Sequence, residues 1–183
     1  MSKRAVLFLT TGFEEAEAVV PIDVLRRGGV EVVIVSLTGE KRVVGSHDIK
    51  LETDALFGDI RNEMYDAVIL PGGPGANRYY ENKTLLEYIQ KHAAENRLTA
   101  AICAAPGVLG HLGMLNGKRA TCYRGYEERL AGADFTGNNA ETDGNIITGR
   151  SAGWAYDFAF AILEYLCGSD MRGQIADAMI YYR

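Results

Sequence analysis

Cys103 occupies a position where α/β proteins place reactive thiols, the turn between a buried strand and a helix. It ends the apolar run 99–103, and Pro106 opens the helical segment that follows. A side chain in such a turn is exposed at the top of the sheet, where free N–H groups and the helix dipole favour a thiolate. The position alone leaves two interpretations equally open, a nucleophile or the small buried hydrophobic residue that free cysteine often is.

Two glycines after another buried strand could bring backbone N–H groups to the same place. Gly72 and Gly73 follow the apolar run 67–70, and the N–H of Ala104 would supply the other half of an oxyanion site. The alternative is an ordinary tight turn. The segment matches neither Gly-x-x-x-x-Gly-Lys-[Ser/Thr] nor a complete Gly-x-Gly-x-x-Gly, so we expect no nucleotide cofactor and assign no other cofactor.

Three glutamates, Glu14, Glu15 and Glu17, open the first predicted helix. Acidic residues in a first turn ordinarily interact with the helix dipole, and the residues alone favour that interpretation for all three. Glu17 nevertheless lies on the largely apolar face that carries Pro21. A carboxyl group buried there would have a raised pKa and could stay neutral.

The segment 149–153 matches Gly-x-Ser-x-Gly, the pattern of a hydrolase nucleophile, but we reject that interpretation. Such triads run Ser, then acid, then His along the chain, and no histidine follows His111. An N-cap of the next helix by Ser151 explains the pattern better. His111 itself lies about two turns into the helix after Cys103, so we interpret it as structural.

The other cysteines and histidines do not form a metal or disulfide framework. Three cysteines without Cys-x-x-Cys spacing and three scattered histidines predict neither paired disulfides nor a zinc site, so we assign no metal. Cys167 is expected to pack against the core. Cys122 could be a resolving thiol for Cys103, although a buried thiol is the favoured interpretation.

Composition limits the class of protein. The 183 residues are 48% hydrophobic, and 19 basic against 24 acidic side chains leave a net charge of −5. An acidic balance argues against nucleic-acid specificity and against docking on anionic membranes. No apolar run approaches the roughly 20 residues of a membrane span, and the run 5–9 is too short for a signal peptide. We therefore expect a cytoplasmic protein of one domain, residues 1–183.

The elements that must position these residues alternate along the chain. Nearly continuous apolar runs predict strands covered on both faces, and amphipathic segments between them predict helices. This alternation predicts an α/β fold with a doubly wound, mostly parallel sheet between helices. Ligands bind such sheets at the carboxyl ends of strands, which is where Cys103 and the glycines lie. Strands are expected at 5–9, 30–35, 67–70, 99–103 and 145–148, helices at 14–27, 85–95, 106–112 and 154–166, and a small hairpin within 43–51.

Taken together, five motifs resemble the ThiJ/PfpI superfamily, in the branch of the human Parkinson's-disease-associated protein and its bacterial relatives. They are GFEEAEAVVPIDVLRRGG, VILPGGPGA, AAICAAPGVL, ATCY and ITGRSAG, in the family's order and over essentially the whole chain. The resemblance implies a flavodoxin-like fold, a homodimer and an oxidation-prone nucleophile at Cys103. It also implies that Glu17 hydrogen-bonds this cysteine and that Gly73 and Ala104 form the backbone pocket.

Two departures from the family's pattern bear on the chemistry. Many members carry a histidine near the cysteine, and here Tyr123 takes its place. This removes the obvious general base and weakens the case for a protease. A basic residue near the family's dimer interface is replaced by His47, for which the sequence leaves open whether it reaches the partner's site.

The function that the resemblance implies is a cysteine-dependent enzyme for reactive carbonyls with a stress-protective role. It would be of the glutathione-independent glyoxalase or protein deglycase type, with small carbonyl compounds or glycated adducts as substrates. The first alternative is an oxidation-sensing stress protein or chaperone without turnover, and the second, ranked last because of Tyr123, is a cysteine peptidase or amidase.

Overall fold

A central seven-stranded sheet organises the protein. The computed structural model describes residues 2–182. All neighbouring strands are parallel except the antiparallel first pair. In spatial order the strands are Ala140–Asp143 (β10), Ile146–Gly149 (β11), Leu98–Ile102 (β7), Ala67–Leu70 (β6), Arg4–Leu9 (β1), Glu31–Ser36 (β2) and Ala55–Leu56 (β5).

Two small pairs of strands and a set of helices complete the fold. The pairs are Arg42–Val44 (β3) with Lys50–Glu52 (β4), and Arg119–Ala120 (β8) with Asp134–Phe135 (β9). The α-helices are Glu15–Arg27 (α1), Phe57–Ile60 (α2), Lys83–Ala94 (α3), Pro106–His111 (α4), Ala155–Cys167 (α5) and Ser169–Ala178 (α6). Short 3-10 helices span Pro74–Glu81, Glu127–Arg129 and Ala152–Trp154. No helix in residues 2–182 has both the length and the hydropathy that a membrane crossing requires.

The sheet separates two hydrophobic cores because successive side chains of a strand point to opposite faces. In β1, Leu7 and Leu9 enter the core beneath α1 and α5, whereas Val6 and Phe8 enter the core beneath α3 and α4. All four side chains are fully buried. The continuous apolar runs of the sequence are therefore those of strands covered on both faces, and the predicted mostly parallel α/β sandwich is confirmed.

The strand order reverses between β1 and β6, which places the loops after these strands at a switch point. Hydrogen bonds join the two loops: the N–H of Glu14 donates to Gly72 O at 3.1 Å, and the N–H of Gly75 donates to Gly12 O at 2.8 Å. Cys103 follows β7, the next strand along. The topology thus brings the residues predicted to be functional to one edge of the sheet.

Several elements of the fold have no counterpart in the sequence-based assignment. The hairpin expected within 43–51 is present as β3 and β4, and the main strands and helices agree within a few residues. The helix α6 and the edge strands β5 and β10 were not anticipated. Strands of two to four residues carry too little periodicity to be recognised, and α6 buries only Ala176 completely.

Candidate active site

Cys103 sits on a strained backbone immediately after β7. Its φ is +66°, a left-handed value that only glycine adopts without cost. Hydrogen bonds on both sides hold this conformation: the N–H of Cys103 donates to Gly149 O, and the N–H of Tyr123 donates to Cys103 O, each at 2.9 Å. The sharp turn leaves the thiol partly exposed at the end of the sheet. This is the geometry of a nucleophile elbow.

Glu17 lies against this thiol from the first turn of α1. Its side chain is fully buried, and Oε2 accepts a hydrogen bond of 2.9 Å from the N–H of Gly72. A Cβ atom on Gly72 would lie 2.8 Å from both Oε2 of Glu17 and Cβ of Cys103, so only glycine fits between them. Among the described residues, Oε1 of Glu17 has no well-aligned hydrogen-bond partner. The carboxyl group therefore keeps one oxygen for the thiol or for a molecule in the cavity.

Burial raises the pKa of Glu17 to about 7, because the carboxylate loses its hydration; hydrogen bonds from the Cys103 thiol and the Gly72 N–H oppose this only in part. The pKa of Cys103 is also raised, first by burial and then by the negative charge of Glu17. The thiolate that the sequence led us to expect is thus favoured only while Glu17 holds its proton. The two groups titrate as a coupled pair, and the pair loses its first proton near pH 7.

Backbone N–H groups stabilise the Cys103 thiolate and so oppose the effects of burial and of Glu17. Those of Gly73 and Ala104 act to lower the pKa of Cys103, as donors to the sulfur do. Gly73 has a φ of +89°, and a Cβ atom there would lie 2.5 Å from the backbone N of Glu14. The substrate-binding role that we expected for Gly72 does not agree with the structure, because the N–H group of Gly72 donates its hydrogen bond to Glu17 and does not face the cavity.

A cavity of about 740 Å³ opens above the thiol. Tyr123 lies in its wall with 38% of its surface exposed, and its ring meets that of Tyr126 edge-on at 6.3 Å between centroids. Two lining residues were not singled out from the sequence: Asn77 lies in the 3-10 helix Pro74–Glu81, and Tyr126 directly precedes the 3-10 helix Glu127–Arg129. The lining residues are Glu14, Glu17, Ser46, His47, Gly73, Pro74, Asn77, Cys103, Ala104, Tyr123, Tyr126, Ser151, Ala152 and Gly153.

His47 lines the cavity of its own chain, where a buried carboxylate holds it. Nδ1 of His47 lies 2.9 Å from Oε2 of Glu15, and the backbone N–H of His47 donates to Oε1 at 2.6 Å. Burial alone would raise the pKa of Glu15, but these hydrogen bonds outweigh it and lower the pKa to about 2. Glu15 in turn raises the pKa of His47. Glu14, Glu15 and His47 bring potential metal-ligating atoms within 4.8 Å of one another, although His47 and Glu15 already bind each other.

Other residues considered in the sequence lie away from the thiol or differ from expectation. The Ser151 side chain makes no capping hydrogen bond, because the chain enters α5 through the intervening 3-10 helix Ala152–Trp154. Cys122 is buried, with Sγ directed at Tyr123 O. His111 ends α4 and packs edge-on against Tyr80.

The comparisons with known proteins agree with this geometry. A family model described as the DJ-1/PfpI family matches residues 3–165. The chain belongs to the DJ-1/PfpI family. The crystal structure of DJ-1beta from Drosophila melanogaster superposes on this family member with a TM-score of 0.94 and 34% identity, with full coverage of both chains.

Two curated relatives of this DJ-1/PfpI chain are informative. Protein DJ-1 homolog B of Arabidopsis thaliana is 37% identical over 182 residues, which are 98% of this chain but 42% of the relative. The chain therefore spans less than half of that protein's length. A Caenorhabditis elegans relative named a glutathione-independent glyoxalase is 31% identical over 159 residues, covering 86% of this chain and 84% of the relative.

Proposed function

We propose that this chain is a cysteine-dependent enzyme that converts small reactive dicarbonyl compounds to hydroxy acids without glutathione. The observation that carries the proposal is the contact between a strained, partly exposed thiol and a buried carboxyl group whose pKa is about 7. Such a pair can present a nucleophile and a proton-transfer group to the same carbonyl carbon. The name of the Caenorhabditis elegans relative supports this reaction class.

The proposed reaction of methylglyoxal balances with water as the only other reactant. The Cys103 thiolate adds to the aldehyde carbon, and the oxyanion, held by the N–H groups of Gly73 and Ala104, takes the proton of Glu17. The Glu17 carboxylate then removes the hydrogen on that carbon, giving an enediolate, and returns this proton to the neighbouring carbon. The hydroxyl proton of the first carbon passes to the oxygen of the second, which leaves a thioester carbonyl on the first. The resulting lactoyl thioester is hydrolysed, with Glu17 accepting a proton from water as the thiolate leaves, so that lactate and the starting pair are formed.

Glycated adducts are the second substrate class that we propose for the same thiol. Hemithioacetals and aminocarbinols formed by dicarbonyls share the carbon that Cys103 would attack. A cavity of about 740 Å³ is larger than a three-carbon substrate requires, which supports access for an adduct on a larger molecule.

An oxidation-sensing role is the alternative that a specific observation favours. The Glu17 carboxyl group interacts with the Cys103 side chain, and in its protonated form it would donate a hydrogen bond to a sulfinate on Cys103. Selective gain of two oxygens by Cys103 under mild peroxide, measured by mass spectrometry, would support sensing. Peptidase chemistry is less well supported, since no hydrogen bond joins a histidine to Cys103 among the described residues.

The deciding experiment is lactate formation from methylglyoxal in the absence of glutathione. Lactate must be measured rather than loss of methylglyoxal, because any thiol traps the aldehyde. We expect turnover by the wild type and a loss of at least about 100-fold in Cys103→Ser and Glu17→Gln. Cys122→Ser is the matched control and should keep its activity. Full lactate production by Cys103→Ser would reject the proposal.

A further inference from the structure

A second cavity of about 340 Å³ adjoins the one above Cys103. It is lined by Tyr123, Arg124, Arg150, Ser151 and Trp154, and we refer to it as the arginine cavity. Tyr123 and Ser151 line both cavities, so the two share a wall. A molecule that extends past Tyr123 can therefore occupy both. The proposed carbonyl chemistry does not use the arginine cavity, and none of its reacting or oxyanion-binding residues lines that cavity.

The arginine cavity carries two guanidinium groups, and no carboxylate of the described residues forms an ion pair with either of them. Arg150 is half-buried, and its Nη1 donates to the backbone carbonyl of Gly137 at 3.0 Å, which fixes the side chain in place. Arg124 is exposed at the same cavity. The positive charge of Arg150 contributes to lowering the pKa of the exposed Glu127, after hydrogen bonds from backbone N–H groups, so Arg150 acts on this carboxylate without forming an ion pair with it.

The neighbouring cavity has the opposite charge character. Its ionisable lining comprises Glu14, Glu17 and Cys103 together with His47, which is paired with the Glu15 carboxylate. An anionic group is therefore repelled from the region of the thiol and attracted past Tyr123 to the arginines. The chain has a net charge of −5, so two neighbouring arginines without ion pairs among the described residues give this cavity a charge opposite to that of the whole chain.

Aromatic side chains border the same space. Trp154, the only tryptophan of the chain, and the exposed ring of Tyr123 lie beside the arginines. Guanidinium groups bind oxyanions through two parallel hydrogen bonds, and aromatic faces bind the flat or apolar part of a small molecule. The combination is suited to a compact anion attached to a small organic group.

We propose that the arginine cavity is a binding site for the phosphate or carboxylate group of a small carbonyl compound. The neutral carbonyl end of this ligand would extend toward Cys103, and the anionic end would be held by Arg124 and Arg150. Phosphate and carboxylate share the oxyanion chemistry that the guanidinium groups recognise. The site adds an anchor for charged substrates to the neutral dicarbonyls of the proposed function.

The test is direct binding of inorganic phosphate and of acetate, read from the fluorescence of Trp154 and, independently, by equilibrium dialysis with labelled ligand. We expect saturable binding that weakens as sodium chloride is added, and the two ligands reveal which oxyanion is preferred. Arg124→Gln and Arg150→Gln should each weaken it about tenfold, as loss of a charged hydrogen bond does. Arg61→Gln removes an exposed arginine elsewhere and should bind like the wild type.

Two further results separate this inference from the proposed function. Cys103→Ser should bind phosphate as the wild type does, even if it makes no lactate, and the arginine variants should keep the wild-type rate of Cys103 alkylation by neutral iodoacetamide. The latter also shows that the variants are folded. Absence of saturable binding of both ions by dialysis, or equal affinity in the Arg124→Gln/Arg150→Gln double variant, would overturn the proposal.

Discussion

At the scale of single residues, the buried Glu17 carboxyl group links the candidate chemistry to stability. Its pKa is about 7 in the folded chain against an ordinary value of 4.5, because burial disfavours the charge. An acid whose pKa is raised by folding contributes fully to the stability of the folded state at a pH below its pKa in the unfolded chain, about 4.5, where it is protonated in both the folded and the unfolded chain. That contribution is lost as the pH rises through 7, and the loss amounts to about 3 kcal/mol at higher pH.

We therefore predict that Glu17→Gln stabilises the protein in alkali but not in acid. Glutamine can still accept the Gly72 hydrogen bond and carries no charge to bury. Urea unfolding measures the difference in the free energy of unfolding between the variant and the wild type. This difference should be up to about 3 kcal/mol more favourable to the variant at pH 8 than at pH 5. Glu52→Gln, at an exposed position of β4, serves as the control. An equal effect of Glu17→Gln at both pH values would contradict the raised pKa.

The sequence indicated which residues of the candidate site lie together in the fold better than it indicated their protonation states. The strand-to-helix turn indicated Cys103, but the apolar face of α1 gave only a weak sign of Glu17, which the family resemblance strengthened. The contact between the two groups depends on Gly72, whose N–H the fold directs at the carboxylate rather than at the cavity. The direction of this N–H group depends on tertiary packing, which the local sequence does not encode.

At the scale of elements, the loop after β6 acts as a spacer between α1 and the turn after β7. Gly72 has no room for a Cβ atom, since that atom would lie 2.8 Å from Ile102 O as well as from the two functional side chains. The long elements were predictable because their periodicity extends over many residues. The loop geometry was not, because it arises only when β1, β6 and β7 lie side by side.

We predict that Gly72→Ala separates Cys103 from Glu17 and destabilises the protein. A Cβ atom placed 2.8 Å from three neighbours must displace at least one of them, and overpacking of this kind costs about 1–3 kcal/mol. Thermal unfolding should show the loss, and lactate formation should fall at least about tenfold. Gly58→Ala, where nothing lies within 4 Å, is the control and should lower neither the stability nor the rate of lactate formation. Wild-type stability in Gly72→Ala would show that the loop adapts.

At the scale of the whole molecule, the family resemblance implies a homodimer, and one part of the surface supports it. Val19 on α1 and Ile49 in the β3–β4 hairpin are 44% and 52% exposed. The hairpin is bound to α1 by the Glu15–His47 contacts, and the N–H of Gly12 donates to Val44 O at 2.8 Å. The two apolar side chains thus lie on elements that are fixed relative to each other, as a lasting interface requires.

We predict that the chain sediments as a dimer through this surface and that Ile49→Lys shifts it toward monomer. A charge introduced into a dry interface must be desolvated without a partner, which weakens association at least about tenfold. Ile180→Lys changes a side chain that is even more exposed, at 75%, near the carboxyl end of the chain, and should leave the dimer intact. Sedimentation velocity over a range of concentrations measures both. A wild type that stays monomeric would exclude the dimer, and an Ile49→Lys variant that dimerises as tightly as the wild type would place the interface elsewhere. Because His47 lines the cavity above Cys103 and lies two residues from Ile49, loss of the dimer should also alter the rate of Cys103 alkylation.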